Sequence, residues 1–142
     1  MVGVSVDSAH SHLAWASTPR NRGGLGGCTF PLLGDTTRQM ARAYGVLAAD
    51  GPDAADAGPG PDPSTEAGRC LRGTFLLDPA GKLRHASVTD FAVGRSVDEC
   101  LRLVKAFRFS DANGVVCPAN WKPGGKALVA DPEGAQSYFA EL

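Results

Sequence analysis

The sequence predicts an α/β domain, and three observations lead to that class. Two short β-branched or apolar runs, residues 2–6 and 30–33, each lead into a stretch that reads as helix. Residues 71–77 and 83–89 flank Asp78-Pro79-Ala80-Gly81, a Pro/Gly turn of the kind that joins antiparallel strands. Residues 96–107 then carry a capped, one-sided helical pattern.

Taken in order, Val2-Gly3-Val4-Ser5-Val6 is expected as a buried strand whose polar exit, Asp7-Ser8, caps the helix that follows. That helix carries Leu13, Ala14 and Trp15, and Pro19 ends it. Arg20-Asn21-Arg22-Gly23-Gly24-Leu25-Gly26-Gly27 reads as loop, because so many glycines lose too much backbone entropy inside an element. Phe30-Pro31-Leu32-Leu33 is the second strand; Asp35 is expected to cap a helix through Met40, Ala41 and Tyr44, with Gly45 as its stop. Residues 50–67, nearly all Gly, Pro, Ala, Asp and Ser, cannot bury enough apolar surface to offset their ordering and are expected as a disordered surface insertion. The hairpin follows. In the helix after it, Ser96 and Glu99 form a capping box, and Val97, Cys100, Leu101, Val104 and Phe107 define one apolar face. Beyond Asn113-Gly114 the chain becomes an arm of turns, with a last short helix near residues 135–139.

Strand–helix–strand–helix, then hairpin and helix, is the order of an α/β sandwich of the thioredoxin type, and the chain opens on what such a sheet uses as an interior strand. The expected organisation is a partial thioredoxin-like core over residues 1–109, interrupted at 50–67, and a C-terminal arm over residues 110–142.

Composition narrows the function classes. With 142 residues and a formal net charge of −1, the chain is one small domain or part of one, without the basic excess that a phosphate backbone demands, so nucleic acid is not an expected partner. No apolar run approaches the length that spans a bilayer, and Met1 is not followed by the basic and long apolar regions of a signal peptide, so a cytoplasmic location and no membrane partner are expected. The four cysteines, Cys28, Cys70, Cys100 and Cys117, form no Cys-x-x-Cys pair, which argues against structural zinc; reduced thiols with redox work are the better reading.

Individual residues sharpen this. Cys117, in Val116-Cys117-Pro118 among prolines and glycines, is expected to be exposed and to matter for reactivity rather than volume. Cys100 lies on the apolar helix face and reads as packing. Cys70, beside Arg69 and Arg72, could be partly thiolate if those cations face it, and Cys28 has no assignable partner. Gly23-Gly24-Leu25-Gly26 lacks the Lys-Ser/Thr of a phosphate loop, and His10-x-His12 without a third ligand reads as a solvent-facing pair at a helix start. No metal and no cofactor are expected.

The motifs Val2-Gly3-Val4-Ser5-Val6-Asp7-Ser8, His12-Leu13-Ala14-Trp15, Thr18-Pro19-Arg20, Gly23-Gly24-Leu25-Gly26, Tyr44-Gly45-Val46-Leu47, Arg72-Gly73-Thr74-Phe75, Gly94-Arg95-Ser96-Val97, Val116-Cys117-Pro118, Trp121-Lys122-Pro123-Gly124 and Tyr138-Phe139 occur in one order along the chain. In them the chain closely resembles the typical 2-Cys peroxiredoxins. The resemblance implies a peroxiredoxin fold lacking its N-terminal part, since the family's Pro-x-x-x-Thr-x-x-Cys loop is not among these residues, and with it a peroxidase that is inactive as supplied. It implies that Cys117 is the resolving cysteine, that Arg72 is the active-site arginine and Arg95 a second one, and that the Gly23–Gly26 stretch with Tyr138 and Phe139 governs sensitivity to over-oxidation. It implies reduction of hydrogen peroxide and organic hydroperoxides, thioredoxin as reductant, and a homodimer through the edge strand at residues 83–90, extending to rings. The alternative from another class is a non-catalytic relative that binds peroxiredoxin subunits or acts as a chaperone.

Overall fold

The computed structural model describes residues 1–48 and 68–140; the insertion expected at residues 50–67 lies outside them. Two compact units result, residues 1–94 and residues 95–142.

In the first unit, β1 (Gly3–Ser5) and β2 (Leu32–Gly34) pair in parallel, with Gly3 opposite Leu32 and Ser5 opposite Gly34. A parallel pair requires a crossover, and α1 (Ala9–Ser17) supplies it. Ser8 caps α1 as expected, its side chain accepting from the Ser11 amide. The Gly-rich stretch holds one 3-10 turn, Arg20–Arg22, before the loop proper. Two expectations shift here. β1 is not buried: Val2 and Val4 are exposed. The second strand begins two residues later than the apolar run, at Leu32.

Helix α2 (Gln39–Ala43) likewise starts later than Asp35 suggests, because Arg38 occupies its N-cap with a left-handed φ of 60°. Asp35 still serves the helix from a distance, since its buried carboxylate accepts from the Ala41 amide at 2.8 Å. Beyond α2, the backbone at Val46 and Ala48 bonds that at Leu71 and Arg69, and Tyr44 meets Phe75 edge to face at 4.7 Å. Thus α2 is tied to β3 (Arg72–Leu77), which forms an antiparallel hairpin with β4 (Leu83–Thr89). The turn rests on Asp78, whose side chain accepts from the Ala80 and Lys82 amides. A bulge falls at Leu76/Leu77, where Leu76 faces His85 but Leu77 faces Leu83; the extra residue, Arg84, reaches back to Asp78 at 3.9 Å.

In the second unit, α3 (Val97–Asn113) is capped by Ser96, which accepts from the Glu99 amide, and ends at Gly114 in the left-handed conformation. It runs six residues past its expected end. The covered face also differs from the expected one: Val97, Leu101 and Val104 are exposed, at 71%, 50% and 39%. Arg102, Ala106 and Phe109, at spacings of four and three, instead meet the arm. The arm is more than turns, because Val116 and Leu128 form an antiparallel bridge. Helix α4 (Pro132–Phe139), capped by Asp131 through the Gly134 amide, closes the unit. Among the described residues the covered apolar side chains are few: Ala41 and Val46 in the first unit, Ala106 and Trp121 in the second.

Candidate functional site

In the second unit the arm is organised around Trp121. Its side chain is 4% exposed, its ring lies 4.8 Å from Phe109, and its Nε1 donates to the Gly125 carbonyl at 3.0 Å. A buried indole brings a large apolar area with one polar atom that must be satisfied, and both conditions hold. Arg102 of α3 donates to the Trp121 carbonyl at 3.2 Å while its Nε and Nη2 donate to the two Glu99 oxygens at 2.7 and 2.8 Å. Hydrogen bonding to Glu99 raises the Arg102 pKa above its ordinary value, with the Glu99 and Cys117 side chains adding to the effect, so the guanidinium is a fixed positive charge.

Cys117 sits in this arm as a free, half-buried thiol. Its Sγ donates to the Ala106 carbonyl at 3.6 Å. The exposed setting expected from the surrounding prolines and glycines is therefore corrected: the turns of the arm fold the thiol onto α3. Arg95 is exposed, next to the Ser96 cap; Tyr138 and Phe139, at the end of α4, stack edge to face at 5.6 Å, with Tyr138 half-buried and Phe139 exposed.

In the first unit, Gly23-Gly24-Leu25-Gly26 wraps the C-terminal end of α1. The amides of Leu25, Gly26 and Gly27 donate to the carbonyls of Trp15, Thr18 and Ala16 at 3.0, 2.8 and 2.8 Å. These carbonyls lack partners inside the helix, so the loop acts as its cap. Glycine is required at two points: Gly26 has φ +61°, and a Cβ on Gly24 would lie 1.9 Å from the Thr18 oxygen. Trp15 Nε1 donates to the Gly23 carbonyl and Arg20 Nε to the Leu25 carbonyl, at 3.0 and 2.9 Å.

Arg72 opens β3 with its side chain exposed and unpaired among the described residues. Cys70, two residues earlier, is not a thiolate-prone site. Burial pushes its pKa up, the Asp35 carboxylate adds to that, and Arg38 only partly opposes it. Arg69, expected to favour the thiolate, lies instead 4.3 Å over the Phe91 ring. Cys28 donates to the Phe30 carbonyl at 3.1 Å. His12 is not solvent-facing: it is 7% exposed and hydrogen-bonds Ser5 Oγ through Nε2 at 2.7 Å, while His10 stays exposed. Since Ser5 gives its hydroxyl proton to Asp7, His12 Nε2 donates to Ser5, and its Nδ1 is buried without a hydrogen-bond partner among the described residues. Sequence reasoning missed Arg102 and Trp121 as the arm's anchors. The signal available was the Glu99–Arg102 pair at i,i+3 ahead of Ala106 and Phe109 on one face.

Parallel strands joined by a helix, a further helix, a hairpin and a long helix make this a thioredoxin-like α/β protein, and its four cysteines are free. The AhpC/TSA family model matches residues 1–86 and the model of the C-terminal domain of 1-Cys peroxiredoxin matches residues 106–141. The chain belongs to the AhpC/TSA family, as a peroxiredoxin of the 2-Cys type. It is 45% identical over 142 residues to a thioredoxin peroxidase of Trypanosoma brucei rhodesiense, covering 100% of this chain and 63% of that protein. It is 48% identical to the mitochondrial thioredoxin-dependent peroxide reductase of Bos taurus, covering 49% of it. The crystal structure of reduced Plasmodium vivax 2-Cys peroxiredoxin superposes with a TM-score of 0.79 at 36% identity, over 98% of this chain and 63% of that one. The chain thus spans about half to just under two thirds of the length of the relatives it matches. Among the described residues no helix is long and apolar enough to cross a membrane.

Proposed function

We propose that this chain serves a thioredoxin-dependent peroxidase that reduces hydrogen peroxide and organic hydroperoxides, and that it supplies the resolving part of the chemistry. The observation that carries this is Cys117, a free thiol within Val116-Cys117-Pro118, held in an arm matched by a peroxiredoxin C-terminal model. In the proposed reaction a thiolate outside the four cysteines of this chain attacks the peroxide and becomes a sulfenic acid. Cys117 S–H then condenses with that S–OH to give a disulfide and water, before a second peroxide can oxidise the sulfur further. A dithiol reductant of the thioredoxin class reopens the disulfide by exchange.

Arg72 is proposed to hold the attacking sulfur as thiolate and to stabilise the leaving oxygen, for which an unpaired guanidinium is suited, having fixed donors and a permanent charge. Arg95 is proposed as a secondary arginine. Gly23, Gly24, Leu25 and Gly26 with Tyr138 and Phe139 are proposed to govern over-oxidation. The proposed homodimer forms through residues 83–90, which a strand paired only with β3 among the described strands supports, with rings as the higher assembly. The proposed compartment is the cytoplasm; a mitochondrial relative makes organelle import the competing outcome of a localisation experiment.

The test mixes the purified chain with a 2-Cys peroxiredoxin whose own resolving cysteine is replaced, then adds peroxide. The expected result is a mixed disulfide at Cys117 and no peroxide consumption by the chain alone with thioredoxin. Turnover by the chain alone, with Cys28, Cys70, Cys100 or Cys117 as the first oxidised sulfur at low peroxide, overturns the proposal.

A further inference from the structure

The arm carrying Cys117 meets α3 at two points one helical turn apart. At one, Arg102 bridges the Glu99 carboxylate and the Trp121 carbonyl; at the other, the Cys117 thiol engages the Ala106 carbonyl. Arg102 and Ala106 stand at i and i+4, so both contacts lie on one helix face. A planar guanidinium can address two partners through three N–H groups at once, which an ammonium on a flexible stem cannot reproduce. A disulfide requires the sulfurs to close to about 2 Å with a dihedral near 90°. A thiol laid against helix backbone meets that condition only after the arm lifts.

We infer that Arg102 is a positioning residue for Cys117: a latch that holds the arm on α3 and whose release exposes the thiol to a second sulfur. The functional half of this rests on the resolving role proposed for Cys117. The structural half stands on the contacts alone. Because Glu99 is half exposed, the ionic side of the latch is open to screening.

The test measures iodoacetamide alkylation rates of all four cysteines in the full 142-residue chain, resolved by peptide mass spectrometry. Arg102→Gln is expected to speed alkylation of Cys117 roughly two- to tenfold, the range set by losing the hydrogen bond to the Trp121 carbonyl, and to leave Cys28, Cys70 and Cys100 unchanged. Arg102→Lys is expected to fall between, and Arg108→Gln, exposed on the same helix, to change nothing. Raising salt from about 0.05 to about 1 M is expected to speed Cys117 in the parent chain and not in Arg102→Gln, a response that loss of packing does not produce. An unchanged Cys117 rate in Arg102→Gln, or four rates rising together, overturns the latch. If the latch behaves as expected but Cys117 forms no mixed disulfide with a peroxiredoxin sulfenic acid, the proposed function falls and the latch remains.

Discussion

Two irregular segments of this chain are ordered by opposite means. The loop after α1 is held chiefly by its own backbone: three consecutive amides cap helix carbonyls, glycine lets the main chain come close enough to do so, and the Trp15 and Arg20 side chains only add to this. The arm after α3 carries one backbone bridge of its own, Val116 to Leu128, but is held on α3 through side chains, with Trp121 seated on Phe109, Arg102 on the Trp121 carbonyl and Cys117 on the Ala106 carbonyl. A segment pinned through amides tolerates changes of side chain but not the addition of a Cβ at its close approaches. A segment pinned through a few side chains behaves the other way, and it can be released by moving one anchor.

The largest expected effect comes from removing the arm's indole. Trp121→Ala is expected to cost about 3–5 kcal/mol of second-unit stability, read as rapid tryptic cleavage after Lys126 while the loop after α1 stays protected; equal loss of protection in both segments would break the contrast. Next is Gly24→Ala, where a Cβ must displace the Thr18 carbonyl region, with an expected cost of about 2–3 kcal/mol. Its readout is faster amide exchange at Leu25, Gly26 and Gly27, and unchanged exchange there would mean that the backbone closeness is not what holds the loop.

A third experiment asks whether one side chain also matters in the first unit. Asp35→Asn keeps an acceptor for the Ala41 amide and is expected to move Cys70 alkylation to lower pH, because it removes one of the influences that raise that thiol. The sign follows from the raised pKa. Below the ordinary thiol range, near 8.5, Cys70 is protonated folded or unfolded and its contribution to stability is complete. That contribution is lost as pH rises through the higher folded value. An alkylation profile unaltered by Asp35→Asn would remove the electrostatic link. Among the stability losses the smallest is expected at the cap of α3, where Ser96→Ala should cost about 1 kcal/mol, followed as a modest drop in helicity on heating.

The parts that were legible in the sequence are those whose partners are near in the chain. Ser8, Ser96 and Asp78 cap or turn within four residues of themselves, so their chemistry can be read from spacing. Asp35 was legible as a capping residue but not the start of its helix, because Arg38 adopts a backbone conformation that its neighbours do not announce. The covered face of α3 was misjudged because apolar periodicity says which faces could be covered and not which one the arm reaches; Val97 and Leu101 lost to Ala106 and Phe109. Cys117 was legible as the reactive candidate through its motif, yet its shelter depends on Ala106, 11 residues away. For Arg102 and Trp121, 19 residues apart, the Glu99–Arg102 spacing could mark the helix side of the contact but not its partner in the arm.

The bulge in the hairpin carries a consequence of its own. With Arg84 inserted between the partners of Leu76 and Leu77, the tip and the base of the hairpin are out of phase by one position. Deleting Arg84 would bring both ends into a single phase and, in doing so, turn the residues beyond it to the opposite side of the ribbon. The face each residue of β4 presents is therefore set at the tip, where one odd residue absorbs the difference between the two ends.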